Sequence, residues 1–262
     1  MESLLIFFAT GATAGLMAGL FGVGGGMIMV PALALLLPSL GVPPDIVMQV
    51  AVATSLAVIA ATSLSSAFTH HRHDGVLWPV LRALTPGLIA GSVLGAFVAD
   101  QLPSRALAML VGIGALITAA QMAADRKPKS TRVLPGAVGL AGAGSVIGLL
   151  SSLIGIGGGS LTVPYLSWCN IEIRKCVGTA AAAGVPIAWA GAAGFIVAGL
   201  DVTLPGPHLG YVSLNGFAGL AVASVAAAPF GARLAHRLPP RTLKRAFAVL
   251  LTGIGIHMLA GY

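Results

Sequence analysis

A membrane-length apolar segment broken by clustered glycines, and present twice, limits this chain more than any other feature. The first copy is Gly19-Leu-Phe-Gly-Val-Gly-Gly-Gly-Met-Ile-Met-Val-Pro-Ala-Leu33; the second, Ser152-Leu-Ile-Gly-Ile-Gly-Gly-Gly-Ser-Leu-Thr-Val-Pro-Tyr-Leu166, follows 133 positions later. The offset extends upstream, where Gly11 and Gly15 fall on Gly144 and Gly148. A glycine costs a helix interior about 1 kcal/mol. Gly22, Gly24, Gly25 and Gly26, matched by Gly155, Gly157, Gly158 and Gly159, therefore end a helix. The apolar run resumes for only eleven residues, Met27 to Leu37, in the first copy and from Ser160 to about Trp168 in the second. At 1.5 Å per residue, such a run covers about half of a 30 Å hydrocarbon core. The pattern predicts hairpins: a full helix enters, the glycine tip turns at membrane depth, and a half-helix returns.

Whether these runs lie in a bilayer is decided by charge. Hydrophobic residues make up 57% of the chain and charged residues 8%, against roughly 25% charged in a soluble domain. The chain is therefore read as an all-α, polytopic integral membrane protein. Its net charge of +7 does not imply nucleic acid, because the basic residues occupy short stretches between apolar runs, where they orient a membrane protein. With hairpins, the loops carrying Arg72, the 125–132 stretch, Arg174 with Lys175, and Arg233 to Arg245 share one side and hold twelve of the fourteen Lys and Arg residues. Loops 39–45, 100–105 and 201–208 share the other. If each broken segment were instead one bent spanning helix, seven basic residues would face outward, against the positive-inside rule. The first hairpin then enters from outside and the second from the cytoplasm. Inverted repeats with discontinuous helices are the arrangement of alternating-access transporters, whose sites lie near the bilayer midplane.

Residues 1–123 and 133–262 are the two membrane repeats, joined by the basic stretch 124–132. Asp45 is placed to cap the helix after Gly41-Val-Pro-Pro-Asp45, and 69–75 reads as a polar loop. Cys169 and Cys176 read as buried, inert thiols. His70, His71 and His73 read as parts of a solvated loop, and Arg82 as a snorkelling side chain.

The half-helices that follow Gly26 and Gly159 begin with unpaired N–H groups and the positive end of a helix dipole, which favour an anion. Thr54 and Ser55 in one repeat and Thr179 in the other occupy similar positions after the hairpins. As hydroxyl donors they can complete an anion cage, or they can bond their own helices. Ser160 follows the second tip directly, and Gln49 and Tyr165 are weaker candidates. No paired carboxylates, nucleophile–base pair or metal-ligand set stands in the apolar segments, so no enzyme, cofactor or metal site is expected. The expected partners are a small anion and the lipid bilayer; self-association is left open. An anion channel using the same dipoles and a membrane scaffold or sensor are the other readings.

The duplicated Gly-x-Gly-Gly-Gly-x-x-x-x-Pro motif (ending at Pro31 and Pro164), the Ala53-Thr54-Ser55 stretch and the basic mid-chain linker together resemble the sulfite exporter TauE/SafE family, also called toluene-sulfonate uptake permeases. The resemblance covers essentially the whole chain. It implies a bacterial inner-membrane transporter of about eight spanning helices for sulfite, sulfonates or related small sulfur-containing anions. Met27 follows one tip and Ser160 the other, so the two half-sites need not contribute equally.

Overall fold

The computed structural model describes residues 2–21, 26–124, 133–235 and 240–261. Gly22, Gly24 and Gly25 and the basic stretch 125–132 lie outside the described residues. Apart from its connecting loops and one short β-hairpin, the described chain is helical. In order come α1 (Glu2–Phe21), α2 (Gly26–Leu36), α3 (Val47–Arg72), α4 (Trp78–Gln101), α5 (Ser104–Ala124), α6 (Ala137–Ile154), α7 (Gly159–Trp168), α8 (Ile173–Ala198), α9 (Leu214–Ala235) and α10 (Pro240–Ala260). Strands β1 (His208–Leu209) and β2 (Val212–Ser213) pair antiparallel just before α9. Within the described residues α3, α4, α5, α6 and α8 are long and apolar enough to cross a membrane, and Phe7–Leu16, Leu214–Ala227 and Arg245–Ala260 are shorter apolar stretches of α1, α9 and α10. The two half-helices have the lengths that the glycine spacing implies, 11 residues for α2 and 10 for α7.

Packing is reciprocal. The two largest helix interfaces are α1 with α9 and α6 with α4, while α3 packs on α8 and α5 on α10. The glycines spaced by four make the first two interfaces close. A Cβ on Gly11 would stand 2.7 Å from the Leu220 Cα of α9, and one on Gly144 2.5 Å from the Leu84 carbonyl oxygen of α4. Only hydrogen fits in either place. A serine hydroxyl ties each pair as well: Ser224 donates to the Gly11 carbonyl (3.0 Å) and Ser92 to the Gly148 carbonyl (3.3 Å).

The loops separate into two ends. At one, the Gln49 amide donates to the Leu102 carbonyl (2.7 Å), and the Ser104 hydroxyl lies 2.9 Å from Gln49 Oε1 and 2.8 Å from the Asp45 carbonyl oxygen. Gly41 lies against Pro205 at this end. The Tyr211 hydroxyl donates to Asp100 Oδ1 at 2.7 Å. Burial and then that bond push the Tyr211 phenol well above its ordinary range. At the other end, Arg174 donates to the His73 carbonyl (3.0 Å) and Lys175 to the Asp74 carbonyl. Loops 39–45, 100–105 and 201–208 thus meet, as expected, and the loops around 73 and 174 meet opposite them. Since α3 leaves the first end and α8 leaves the second, the two central helices are antiparallel.

Two local expectations fail. Asp45 does not cap α3 through its side chain: Pro44–Ile46 forms a 3-10 turn, Ile46 precedes the helix without a side-chain cap, and Asp45 contributes its backbone carbonyl to Ser104. The segment 69–75 is not all loop, because α3 runs on through Arg72. The Thr69 hydroxyl bonds back to the Ser65 carbonyl, the Arg72 guanidinium lies 4.5 Å over the Phe68 ring, and the basic last turn suits the negative end of the helix dipole. Asp74, at φ 52°, then turns the chain in a conformation that Asp tolerates better than most residues.

Candidate functional site

Helix α6 ends because Gly155 takes φ 73°, the left-handed conformation that closes helices, and the next amide, Ile156 N–H, returns to the Ser151 carbonyl at 3.0 Å. Residues 155–158 are non-helical or turn, and α7 starts at Gly159. The start of α2 arrives at the same place. A Cβ on Gly26, the first residue of α2, would stand 2.5 Å from the Gly155 carbonyl oxygen and 2.9 Å from Ile156 Cα, and one on Gly155 would meet Val30 Cγ2 at 2.6 Å. The start of α2 is therefore in contact with the second glycine break.

Their depth follows from α3. Gly26 and Gly157 both face Ile59, which is half-way along that helix. Gly158 faces Ala180 and Ile187, near the middle of α8. From this shared mid-height α2 runs toward the end with Gly41, and α7 toward the end with Arg174. The half-helices point in opposite directions.

Among the described residues no charged side chain is buried, whereas Thr54, Ser55, Ser151, Ser152, Thr162 and Thr179 are fully enclosed. Positive potential at mid-height must then come from backbone N–H groups. The first hydrogen bond of α7 runs from Thr162 N–H to the Gly158 carbonyl (2.9 Å), and no side chain caps the helix start. A Cβ at Gly159 would meet nothing within 4 Å, so the first turn of α7 has open space beside it.

The hydroxyls that the sequence singled out divide in two. Ser55 comes to the second break, where it donates to the Gly155 carbonyl at 3.1 Å and holds the turn. Thr54 and Thr179 do matched duties elsewhere. Thr54 Oγ1 accepts the Ser213 N–H (3.1 Å), one residue before α9, and Thr179 Oγ1 accepts the Leu77 N–H (2.9 Å), one residue before α4. Gln49 belongs to the loop end described above. Tyr165 is half-buried in the last turns of α7. Arg82 is exposed in α4, and the Trp78 indole N–H donates to His71 Nδ1 at 3.3 Å.

Three hydroxyls near the second break were missed in the sequence. The side-chain oxygens of Ser151, Ser152 and Thr162, together with that of the expected Ser160, are buried without a hydrogen-bond partner. A helical Ser or Thr usually bonds the carbonyl three or four residues back, as Thr62, Thr85, Thr118, Ser145 and Thr252 do here. The signal was in the repeat itself. Shifted by 133 positions, Ser151, Ser152, Ser160 and Thr162 fall on Ala18, Gly19, Met27 and Met29. The second copy carries hydroxyls around its break at positions where the first has alanine, glycine and methionine.

A family model described as sulfite exporter TauE/SafE matches residues 7–258. The chain is 33% identical to a protein of Haemophilus influenzae named "probable membrane transporter protein", over 97% of both chains. It is 26% identical to a similarly named protein of Methanocaldococcus jannaschii, over 98% of this chain and 95% of the other. No solved structure matches the chain.

Proposed function

The chain belongs to the sulfite exporter TauE/SafE family, and from that membership we propose that this multi-pass membrane transporter carries a small sulfur-containing anion by alternating access. The proposal takes about eight helices to span the bacterial inner membrane in two inverted repeats, with no catalytic chemistry. The substrate sits where the start of α2 meets the second glycine break, bound by the N–H groups that begin the half-helices. Gly22, Gly24, Gly25 and Gly26 supply one wall and Gly155, Gly157, Gly158, Gly159 and Ser160 the other. Ser55 steadies the second turn. Thr54 and Thr179 keep their paired helices in register with the site.

One observation carries this reading: Gly26 and the Gly155 carbonyl are in contact half-way along α3, with α2 and α7 leading away in opposite directions. Non-helical backbone at membrane depth persists only where protein or a cavity satisfies it. A site of this kind needs no ionised side chain, and an uncoupled anion leaving a cell with a negative interior gains about 2.3 kcal/mol per charge per 100 mV. An uncoupled path would favour export, and import would need a coupling ion.

Liposomes loaded with unlabelled sulfite or ethanesulfonate, and containing the purified protein, are expected to accumulate external labelled substrate by counterflow that saturates with concentration. Linear flux without counterflow would establish a channel instead. Gly158→Ala places a Cβ 2.9 Å from the movable Ile187 Cδ1, so it is expected to leave folding intact while lowering flux several-fold.

A further inference from the structure

We propose that the cytoplasmic half of α3 lines a water-filled path between the second glycine break and the cytoplasm, with Thr62, Ser66 and Thr69 forming its wall. The inference rests on the transport reading above and names the route by which an anion reaches that site. Ser55, Ile59, Thr62, Ser66, Thr69 and the capping His73 follow one another at steps of four and three, so they share one face of α3. The first two touch the site: Ser55 holds the Gly155 carbonyl, and Ile59 faces Gly26 and Gly157. Beyond them the helix changes character. From Val47 to Ala60 every residue but Ala57 is buried, whereas Thr62 is half-buried and Ser66 and Thr69 are exposed.

Ser66 decides what this exposed face meets. It lies about 10 Å along the axis from Ile59, within the ~15 Å that separate mid-bilayer from the headgroups. Thr62, Ser63 and Thr69 return their hydroxyls to carbonyls of their own helix, and Ser66 makes no such bond. A hydroxyl exposed at that depth without a partner in its helix is costly in lipid and satisfied in water. The same turns show their apolar side elsewhere, since Leu64 and Phe68 are exposed on the opposite face of α3.

The corresponding half of α8 is filled instead. A Cβ on Gly184 would lie 3.7 Å from Ser63 Cβ and 3.8 Å from the Gly158 nitrogen, and the stripe from there toward the outer end runs through Ile187, Gly191 and Phe195. Ile187 and Phe195 are fully buried, and a Cβ on Gly191 would meet Leu56 Cδ1 at 3.0 Å and Ser152 Oγ at 3.1 Å. The Phe195 ring stands edge-on to Tyr211, with centroids 6.3 Å apart, and Tyr211 is tied to Asp100. The central pair of helices is thus sealed toward the outside and open toward the cytoplasm. At the open end Arg174 donates to the His73 carbonyl and Lys175 to the Asp74 carbonyl. With Arg72 these cations outnumber Asp74 and Glu172, a balance that draws anions to the mouth.

The test uses inside-out membrane vesicles holding the protein with Cys169 and Cys176 replaced by Ala and one of Thr62→Cys, Ser66→Cys or Leu64→Cys. A charged, membrane-impermeant methanethiosulfonate attacks through the thiolate, which forms in water and not in lipid, so Thr62→Cys and Ser66→Cys should react about tenfold faster than Leu64→Cys. Complete modification of Ser66→Cys should lower ethanesulfonate counterflow several-fold, and dithiothreitol should restore it. If Thr62→Cys and Ser66→Cys react as slowly as Leu64→Cys in protein that still shows counterflow, the path is overturned and the transport reading stands. Full modification of Ser66→Cys with counterflow unchanged would mean a wet crevice that the anion does not use, and would overturn the inference as well. A wild type without counterflow of either sulfite or ethanesulfonate would overturn the transport reading, and this route with it.

Discussion

At the scale of single residues, Thr54 and Thr179 teach the most. Their equivalence was legible, since each follows a hairpin at a similar place. Their duty was not, because the N–H groups they accept come from residues 159 and 102 positions away. Spacing along one chain cannot reveal a partner that only folding brings near. Replacing either by Val keeps the shape but leaves a backbone N–H without its acceptor in a low-dielectric interior, at a cost of about 1–3 kcal/mol. Thr54→Val and Thr179→Val are therefore each expected to lower the melting temperature of the detergent-purified protein, and by similar amounts. A variant that melted like wild type would show that water or another group takes over. The glycines spaced by four were easier to read, since the absence of a side chain says by itself that something comes close. Gly11 and Gly144 both meet neighbouring backbone.

At the scale of elements, length was the legible quantity. The half-helices were bounded to within a residue because the glycine clusters mark where each begins. The end of α3 was misread, since three histidines and an arginine look like loop when the stacking of Arg72 on Phe68 is unknown. Which helix packs on which was largely illegible: near-uniform apolar surfaces carry little pairing information, and the serine ties between α1 and α9 and between α4 and α6 connect distant segments. The pairing of α5 with α10 can be tested directly. A Cβ at Gly112 would lie 3.2 Å from Met258 Cβ, close to the 3.5–4.5 Å of a disulfide. In a variant with Cys169 and Cys176 replaced by Ala, Gly112→Cys with Met258→Cys should form a disulfide on oxidation. With a protease site inserted at 125–132, the cleaved halves should then stay joined on a non-reducing gel and part after reduction. Halves that separate without reductant would refute the pairing.

At the scale of the whole molecule, the charge pattern did what no local motif could. Counting basic residues on either side of a supposed hairpin grouped loops 39–45, 100–105 and 201–208 before any contact was known, and Tyr211 with Asp100 and Gly41 with Pro205 join those loops in space. The hydrogen bonds from Arg174 and Lys175 to the His73 and Asp74 carbonyls gather the other end. Single cysteines at Ser39 and Pro205 should accordingly react with a membrane-impermeant maleimide on intact cells, and cysteines at Asp74 and Asn170 only after permeabilisation. Labelling of Ser39 and Asn170 from the same side would reject the topology.

The crossing of helices between the halves also sets a schedule for making the protein. Gly11 is synthesised 209 residues ahead of Leu220, the residue it packs against. At ~5–20 residues per second, α1 waits on the order of 10–40 s for α9. During that interval a glycine-faced helix sits in lipid with its Gly11 groove unfilled, and the first half cannot be completed however long it waits. Biogenesis is thus committed to the whole chain: a ribosome that stalls between the halves leaves a fragment with an open seam, a natural mark for membrane quality control.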